Sequence, residues 1–179
     1  ETPSFVEFIT GEGGVIDTWL RRGAAGFRLD VADELPDDFI EKIRAAVKRV
    51  SPEKFLLGEV WEDATTKYGF GQRRTYLLGK GLDSVMNYPF KNAVLDFVKG
   101  KPAQQAMNEI LSICEHYPAP ALNTALNFLS THDTERALTV IADEPANGRG
   151  REWQSGRNVS GEAYEEGMLR LRMAYAIIY

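Results

Sequence analysis

The chain has 179 residues, of which 44% are hydrophobic and 26% are charged, the proportions of an ordinary soluble globular protein. Its net charge of −5 and the absence of a basic run argue against a nucleic-acid partner. The apolar runs are too short to span a bilayer, and no signal-peptide pattern opens the chain, so no membrane partner is expected. The single cysteine, Cys114, excludes an internal disulfide, and its apolar helical surroundings predict a buried structural thiol.

Hydrophobic periodicity predicts strands and helices that alternate along the chain. In chain order the pattern predicts helix Val15–Arg22, strand Gly26–Val31, helix Asp37–Val50, strand Phe55–Val60, strand Leu82–Met86, helices Pro89–Val98 and Pro102–Tyr117, strand Ala125–Ser130, a polar loop over residues 143–160 and helix Glu162–Ile178. This alternation indicates a parallel sheet with right-handed crossovers.

Two α/β architectures fit repeats of about thirty residues, a (β/α)8 barrel and a doubly wound sheet. No glycine-rich phosphate fingerprint is present, which weakens the dinucleotide-binding interpretation. A complete barrel needs roughly 250 residues, so this chain has room for about four of the eight strands. The predicted fold class is therefore α/β, a partial (β/α)8 barrel with long loops. The apolar end at Tyr179 indicates a piece of a longer protein.

The first predicted strand carries an Arg and an Asp two residues apart. Side chains at i and i+2 of a strand point to the same face, so Arg28 and Asp30 project together, opposite Phe27, Leu29 and Val31. A guanidinium beside a carboxylate favours its ionised form. The pair therefore suits a nucleophile or an electrostatic stabiliser.

Further acids follow later strands. Glu59 follows the second predicted strand, and His132 and Asp133 follow the fourth. Barrel active sites lie at the carboxyl ends of the strands, so we expect Asp30, Glu59 and Asp133 to converge there.

Two carboxylates in unlike environments are the requirement of glycoside hydrolysis. Asp30 has Arg28 as a neighbouring cation. Glu59 instead follows an apolar run and precedes Trp61, and apolar, aromatic surroundings favour a protonated acid. The Trp61 indole either stacks on a sugar ring or lies in the core.

A magnesium site is the main alternative, because Asp30, Glu59 and Asp83 lie near the ends of three consecutive predicted strands. Arg28 argues against it, since a cation two residues from a ligand would compete with the metal. Asp33 and Glu34 either bind substrate hydroxyls or serve as first-turn acids of the following helix.

Three motifs resemble those of the α-amylase superfamily of glycoside hydrolases, the family 13 type. They are the stretches at residues 26–30, 57–61 and 128–133, which are similar to that family's fourth-, fifth- and seventh-strand motifs. Residues 31–34 and 85–89 are similar to the cyclomaltodextrinase, neopullulanase and maltogenic amylase branch.

The resemblance implies a role for each matching residue. Asp30 would be the nucleophile, Glu59 the general acid/base and Asp133 the transition-state stabiliser. Arg28 and His132 would hold the nucleophile and the substrate hydroxyls. The implied substrate is an α-glucan such as cyclodextrin, pullulan, starch or a maltooligosaccharide. No cofactor is implied, apart from a calcium ion that the longer parent could carry.

The resemblance also implies a domain organisation. Residues 1–179 would form part of a single catalytic barrel, with strands one to three before Glu1 and strand eight and a β-sandwich after Tyr179. Branch members without a signal peptide imply a cytoplasmic location. The alternative is that the 179 residues are a non-catalytic folded fragment, whose exposed barrel edges would promote self-association.

Overall fold

A computed structural model describes residues 2–142 and 146–179, and the chain separates into two compact units. The first unit holds the residues up to Asn87 together with Cys114–Leu126. The second holds Tyr88–Ile113 together with the residues from Asn127 to the end.

Helices account for most of the regular structure. The helices are α1 (Pro3–Thr10), α2 (Val15–Arg21), α3 (Asp37–Val50), α4 (Tyr88–Val98), α5 (Ala103–His116), α6 (Ala119–Asn123), α7 (Ala137–Ala142), α8 (Arg151–Ser155) and α9 (Gly161–Ile178). The strands are β1 (Gly26–Leu29), β2 (Phe55–Gly58), β3 (Tyr68–Gly69), β4 (Gln72–Arg73) and β5 (Ser84–Val85). Within the described ranges, none of the helices has both the length and the apolarity that a membrane crossing requires.

The first unit contains a three-stranded parallel sheet in the order β1-β2-β5. Gly26 pairs with Phe55 at the start of β1 and β2, and Leu29 pairs with Gly58 at their end. A Cβ on Gly26 would overlap the backbone of Phe55, so only glycine allows the strands to pair at this point. The predicted parallel α/β arrangement is confirmed for these strands.

Helix α3 spans the predicted residues because its apolar side chains recur at helical spacing. The buried side chains of α3 are Phe39, Ile40, Ile43, Ala46 and Val47. Asp37 and Asp38 lie in its first turn and Lys48 and Arg49 in its last, the charge order that the helix dipole favours.

The second unit is built around α4, α7 and α9. Its core consists of Val94, Leu95, Val98, Leu129, Ala137, Ile141 and Ala174. A Cβ on Gly167 in α9 would lie 2.5 Å from the Cβ of Ala142 in α7, so glycine permits the close approach of these two helices.

The predicted fourth strand is not formed. Over Ala125–Ser130 the backbone makes one isolated parallel bridge, between Leu126 and Met86. The chain leaves the first unit after Leu126, which is 45% exposed, and Leu129 is buried in the core of the second unit. The backbone pairing therefore stops at Leu126 instead of continuing as a strand.

The predicted loop over residues 143–160 is also only partly correct. Residues 143–145 lie outside the described residues, and Arg151–Ser155 forms the short helix α8. Gly150 and Gly156 are the caps of this short helix.

Cys114 is exposed, so the prediction of a buried thiol is wrong. The buried face of α5 carries Ala106 and Ile113, whereas Cys114 shares the outer face with the exposed Met107 and Leu111. The apolar residues of this helix outnumber those that its neighbours cover, and sequence periodicity alone does not show which are covered.

Asp83 joins α3 to the sheet through three contacts. Its carboxylate lies 2.7 Å from the Arg44 guanidinium and 2.8 Å from Lys48 Nζ, and it accepts the Leu56 amide at 2.8 Å. Burial raises the pKa of Asp83, but the hydrogen bonds from Lys48, Arg44 and Leu56 outweigh it, so the pKa lies below its ordinary value. Asp83 is therefore a structural anion.

The substitution Asp83→Asn tests this role. It leaves two partly buried cations without their anion and should lower the free energy of unfolding at neutral pH by about 3 kcal/mol. Because the folded-state pKa is below the unfolded-state value, the stabilisation is present above about pH 4 and is lost as the pH falls through the folded-state pKa. Urea unfolding at several pH values should therefore show the two proteins converging in acid.

The exposed Asp38, which pairs with Lys42 one turn away, provides the matched control. Asp38→Asn should change the stability by less than about 0.5 kcal/mol. A difference between Asp83→Asn and the parent that stays constant into strong acid would contradict the assigned ionic role.

Candidate active site

The candidate site lies at the carboxyl ends of β1 and β2. Leu29 and Gly58 are paired at the ends of these strands, and Asp30 and Glu59 are the next residue on each. The backbone continues the pairing, because Glu59 N–H donates to Leu29 O at 3.0 Å and Ala32 N–H donates to Glu59 O at 3.0 Å. The sheet register therefore sets both acids side by side.

One guanidinium contacts both carboxylates. Nη1 of Arg28 makes a short contact with Oδ1 of Asp30, and Nη2 lies 2.9 Å from Oε2 of Glu59. The Asp30 side chain is 71% exposed, whereas that of Glu59 is 3% exposed. The predicted common projection of Arg28 and Asp30 is thus observed, and the pair of acids consists of one accessible and one buried carboxylate.

The buried Glu59 is held by further donors. Val31 N–H donates to Oε2 at 2.8 Å, and the indole Nε1–H of Trp61 donates to Oε1 at 3.0 Å. Such donors favour a charged carboxylate, so the surround of Glu59 is less apolar than its flanking residues predict. The sequence shows the aromatic neighbour but not the direction of its N–H.

Backbone strain accompanies this geometry. Val31 has φ 42°, in the left-handed region that β-branched residues rarely enter. Val31 immediately follows Asp30. Its left-handed conformation points the Val31 amide at the carboxylate of Glu59. Strain at this point is typical of a functional site, where the surrounding structure holds an unfavourable conformation.

The other predicted binding residues of the first unit differ in environment. Trp61 is about half exposed, so its ring remains accessible while its N–H is engaged. Both carboxylate oxygens of Asp33 are engaged, by the Tyr76 hydroxyl at 2.8 Å and by Lys67 Nζ at 2.9 Å. Glu34 is exposed. Asp33 therefore anchors a loop, which the sequence alone gave no signal for.

His132 and Asp133 lie in the second unit. His132 Nε2 is 3.0 Å from Asp133 Oδ2, and Thr131 Oγ1 accepts the Asp133 amide at 3.2 Å. His132 also borders an open cavity of about 410 Å³. The structure thus brings Arg28, Asp30, Glu59 and Trp61 together in the first unit and His132 with Asp133 in the second.

The alternative magnesium site receives no support. The Asp83 carboxylate faces Arg44 and Lys48 instead of an open coordination position, and Arg28 already contacts Asp30 and Glu59. Across the described residues, no group of three His, Cys, Asp or Glu side chains is arranged to hold a metal ion.

The chain matches known proteins over most of its length. Residues 3–154 match the family described as the α-amylase catalytic domain. An amylopullulanase of Thermoanaerobacter thermohydrosulfuricus is 36% identical in an alignment 167 positions long, which covers 80% of this chain and 11% of that protein. A cyclomaltodextrinase of Thermoanaerobacter pseudethanolicus is 38% identical over 129 residues, which cover 70% of this chain and 21% of that protein.

A solved structure is also similar to this chain. The ligand-free cyclic α-maltosyl-(1→6)-maltose hydrolase of Arthrobacter globiformis superposes with a TM-score of 0.69 at 28% identity, covering 79% of this chain and 30% of that one. This chain therefore spans less than a third of the length of these relatives. Such neighbours imply a (β/α)8 barrel, and the structure here is a partial α/β fragment with a three-stranded parallel sheet.

Because the α-amylase catalytic-domain model matches residues 3–154, which is most of the chain, the chain belongs to the α-amylase family of glycoside hydrolases, family 13.

Proposed function

We propose that this chain belongs to the catalytic barrel of a retaining glycoside hydrolase that cleaves α-glucosidic bonds of α-glucans. The observation that carries the proposal is the pair formed by the accessible Asp30 and the buried Glu59 on one guanidinium. The names of the relatives, amylopullulanase and cyclomaltodextrinase, support pullulan, cyclodextrin or a related glucan as the substrate.

In the first step the exposed carboxylate of Asp30 attacks the anomeric carbon. A bond forms between that carbon and the Asp30 oxygen, the glycosidic bond breaks, and Glu59 transfers its proton to the departing oxygen. The two roles are assigned by access: the exposed Asp30 can reach the anomeric carbon, and the buried Glu59 on the adjacent strand acts as the proton donor and acceptor.

In the second step Glu59 accepts a proton from water, the water oxygen bonds to the anomeric carbon, and Asp30 departs. The two inversions retain the anomeric configuration. Retention needs carboxyl groups roughly 5–5.5 Å apart, and acids on adjacent strands that share one guanidinium are compatible with that separation.

The remaining assignments extend the proposal. Asp133 would stabilise the transition state and His132 would bind substrate hydroxyls, while Trp61 and Glu34 would contact the sugars. Strands β1, β2 and β5 would be the fourth, fifth and sixth of the barrel, and residues 125–130, which make only the bridge from Leu126 to Met86, would occupy the position of the seventh. The remaining strands and a β-sandwich would lie outside residues 1–179.

The substitution Asp30→Asn, made in the longer enzyme that carries this segment, tests the proposal. It removes the nucleophile and should lower turnover of cyclodextrin and pullulan by about a thousandfold or more. Chromatography of the products measures turnover. NMR of the initial product of the unmodified enzyme should show the retained α-anomer. The exposed Glu41 on α3 offers a control, since Glu41→Gln should keep full turnover. Activity that survives in Asp30→Asn would refute the proposal.

A second possibility is that the 179 residues alone form a non-catalytic, self-associating unit. Among the described residues, β1 is paired on one side only, with β2. Large apolar side chains are also exposed, among them Phe8, Trp19, Leu169 and Met173. An open strand edge and exposed apolar groups both favour association.

Size-exclusion chromatography of the 179-residue chain examines this possibility. We expect concentration-dependent oligomers and no turnover of cyclodextrin, because part of the sugar-binding site would be missing. A stable monomer that hydrolyses cyclodextrin would show that the segment is a complete enzyme.

A further inference from the structure

The loop between β2 and β5 contains a hairpin with two exposed aromatic rings. Strands β3 and β4 pair antiparallel, Tyr68 with Arg73 and Gly69 with Gln72. Tyr68 is 71% exposed and Phe70 is 62% exposed. Rings so open to water contribute little to the hydrophobic stability of the hairpin.

The turn of this hairpin is strained. Its two central residues, Phe70 and Gly71, have φ values of 51° and 78°. This turn type favours Asn or Gly at both positions, and a bulky aromatic residue in the left-handed region is unfavourable. A cation–π contact with Arg74, whose guanidinium lies 5.3 Å from the Phe70 ring centre, offsets part of that cost. The sequence thus keeps a large ring where stability favours a small residue.

Arg74 connects the hairpin to the loop that follows β1. Its buried guanidinium lies 2.7 Å from Asp37 Oδ1, donates to the carbonyl of Asp33 at 2.9 Å and donates to the carbonyl of Leu35. A charged group is buried here only because it is fully paired. The hairpin therefore cannot move freely relative to that loop.

Lys67 and Tyr76 make further contacts between the hairpin region and the loop that follows β1. Both contact the carboxylate of Asp33, which lies three residues after Asp30. Burial and the hydrogen bond to Asp33 raise the pKa of Tyr76, so its hydroxyl stays protonated and donates. The exposed rings are thus fixed to the segment that begins with the proposed nucleophile.

We propose that Tyr68 and Phe70 form a glucan-binding platform on which a pyranose ring of the substrate stacks, beside the Asp30–Glu59 site. This inference rests on the proposed function. The C–H face of a glucose ring is apolar and its rim carries hydroxyls, which suits an exposed aromatic ring with polar neighbours. Strain retained at an exposed position indicates binding more than folding.

The exposed aromatic Phe8 provides the comparison. It is 63% exposed but lies on α1, in regular helical backbone without strain. The platform differs from Phe8 in two ways: its turn is strained, and the buried Arg74 connects it to the loop that follows β1.

Affinity gel electrophoresis of the 179-residue chain in gels that contain amylose tests the platform without any need for turnover. Phe70→Gly and Tyr68→Ala should each weaken the retardation-derived affinity by about tenfold. Phe70→Tyr should preserve it, and the control Phe8→Ala should leave it unchanged.

Urea unfolding of the same variants separates binding from folding. Phe70→Gly relieves the left-handed strain, so its unfolding midpoint should equal or exceed that of the parent while its affinity falls. A lower midpoint together with the lost affinity would overturn the proposal in favour of a structural role.

The platform is also wrong if amylose does not retard the parent chain, or if Phe70→Gly and Tyr68→Ala migrate as the parent does. That outcome is distinguishable from failure of the proposed function, which the turnover of Asp30→Asn decides independently of the hairpin.

Discussion

The guanidinium of Arg28 lies between two carboxylates at the ends of adjacent parallel strands, and the organisation of the site depends on it. A buried acid such as Glu59 is tolerated only when its charge is paired and its oxygens accept hydrogen bonds. Arg28 supplies the pairing and also contacts the exposed Asp30. Two chemically identical groups thereby acquire different environments, which is the condition for dividing nucleophilic and proton-transfer roles between them.

Besides the contacts of Arg28, other charged groups with little solvent exposure hold the loops of the first unit in place. Asp83 joins α3 to the sheet, and Arg74 joins the β3–β4 hairpin to the loop after β1. Such pairs specify one arrangement because an unpaired partner is costly, even when the pair itself adds little stability. Val31 and Phe70 both have left-handed backbone; the Val31 N–H donates to Glu59, and the Phe70 ring lies against the Arg74 guanidinium. Rigid polar anchoring and local strain thus occur together at the proposed sugar-binding edge.

Local pattern was sufficient for part of this description. Helix α3, the parallel pairing of β1 with β2 and the common projection of Arg28 and Asp30 follow from periodicity over a few residues. The exposure of Cys114 and the missing strand at residues 125–130 could not be predicted, because they depend on which apolar surfaces distant segments cover. The indole N–H on Glu59 and the buried Arg74 depend likewise on tertiary geometry.

The most direct measurement is a double-mutant cycle on the free energy of unfolding with Arg28→Met and Glu59→Gln. If Arg28 pairs with the buried Glu59, Arg28→Met leaves Glu59 without its cation and Glu59→Gln leaves Arg28 with the exposed Asp30 alone, so the double variant is more stable than the sum of the two losses predicts. The coupling should be at least about 1 kcal/mol, against about 0.3–0.5 kcal/mol for the exposed Asp38–Lys42 pair. Additivity within about 0.3 kcal/mol would contradict the central role of this ion pair.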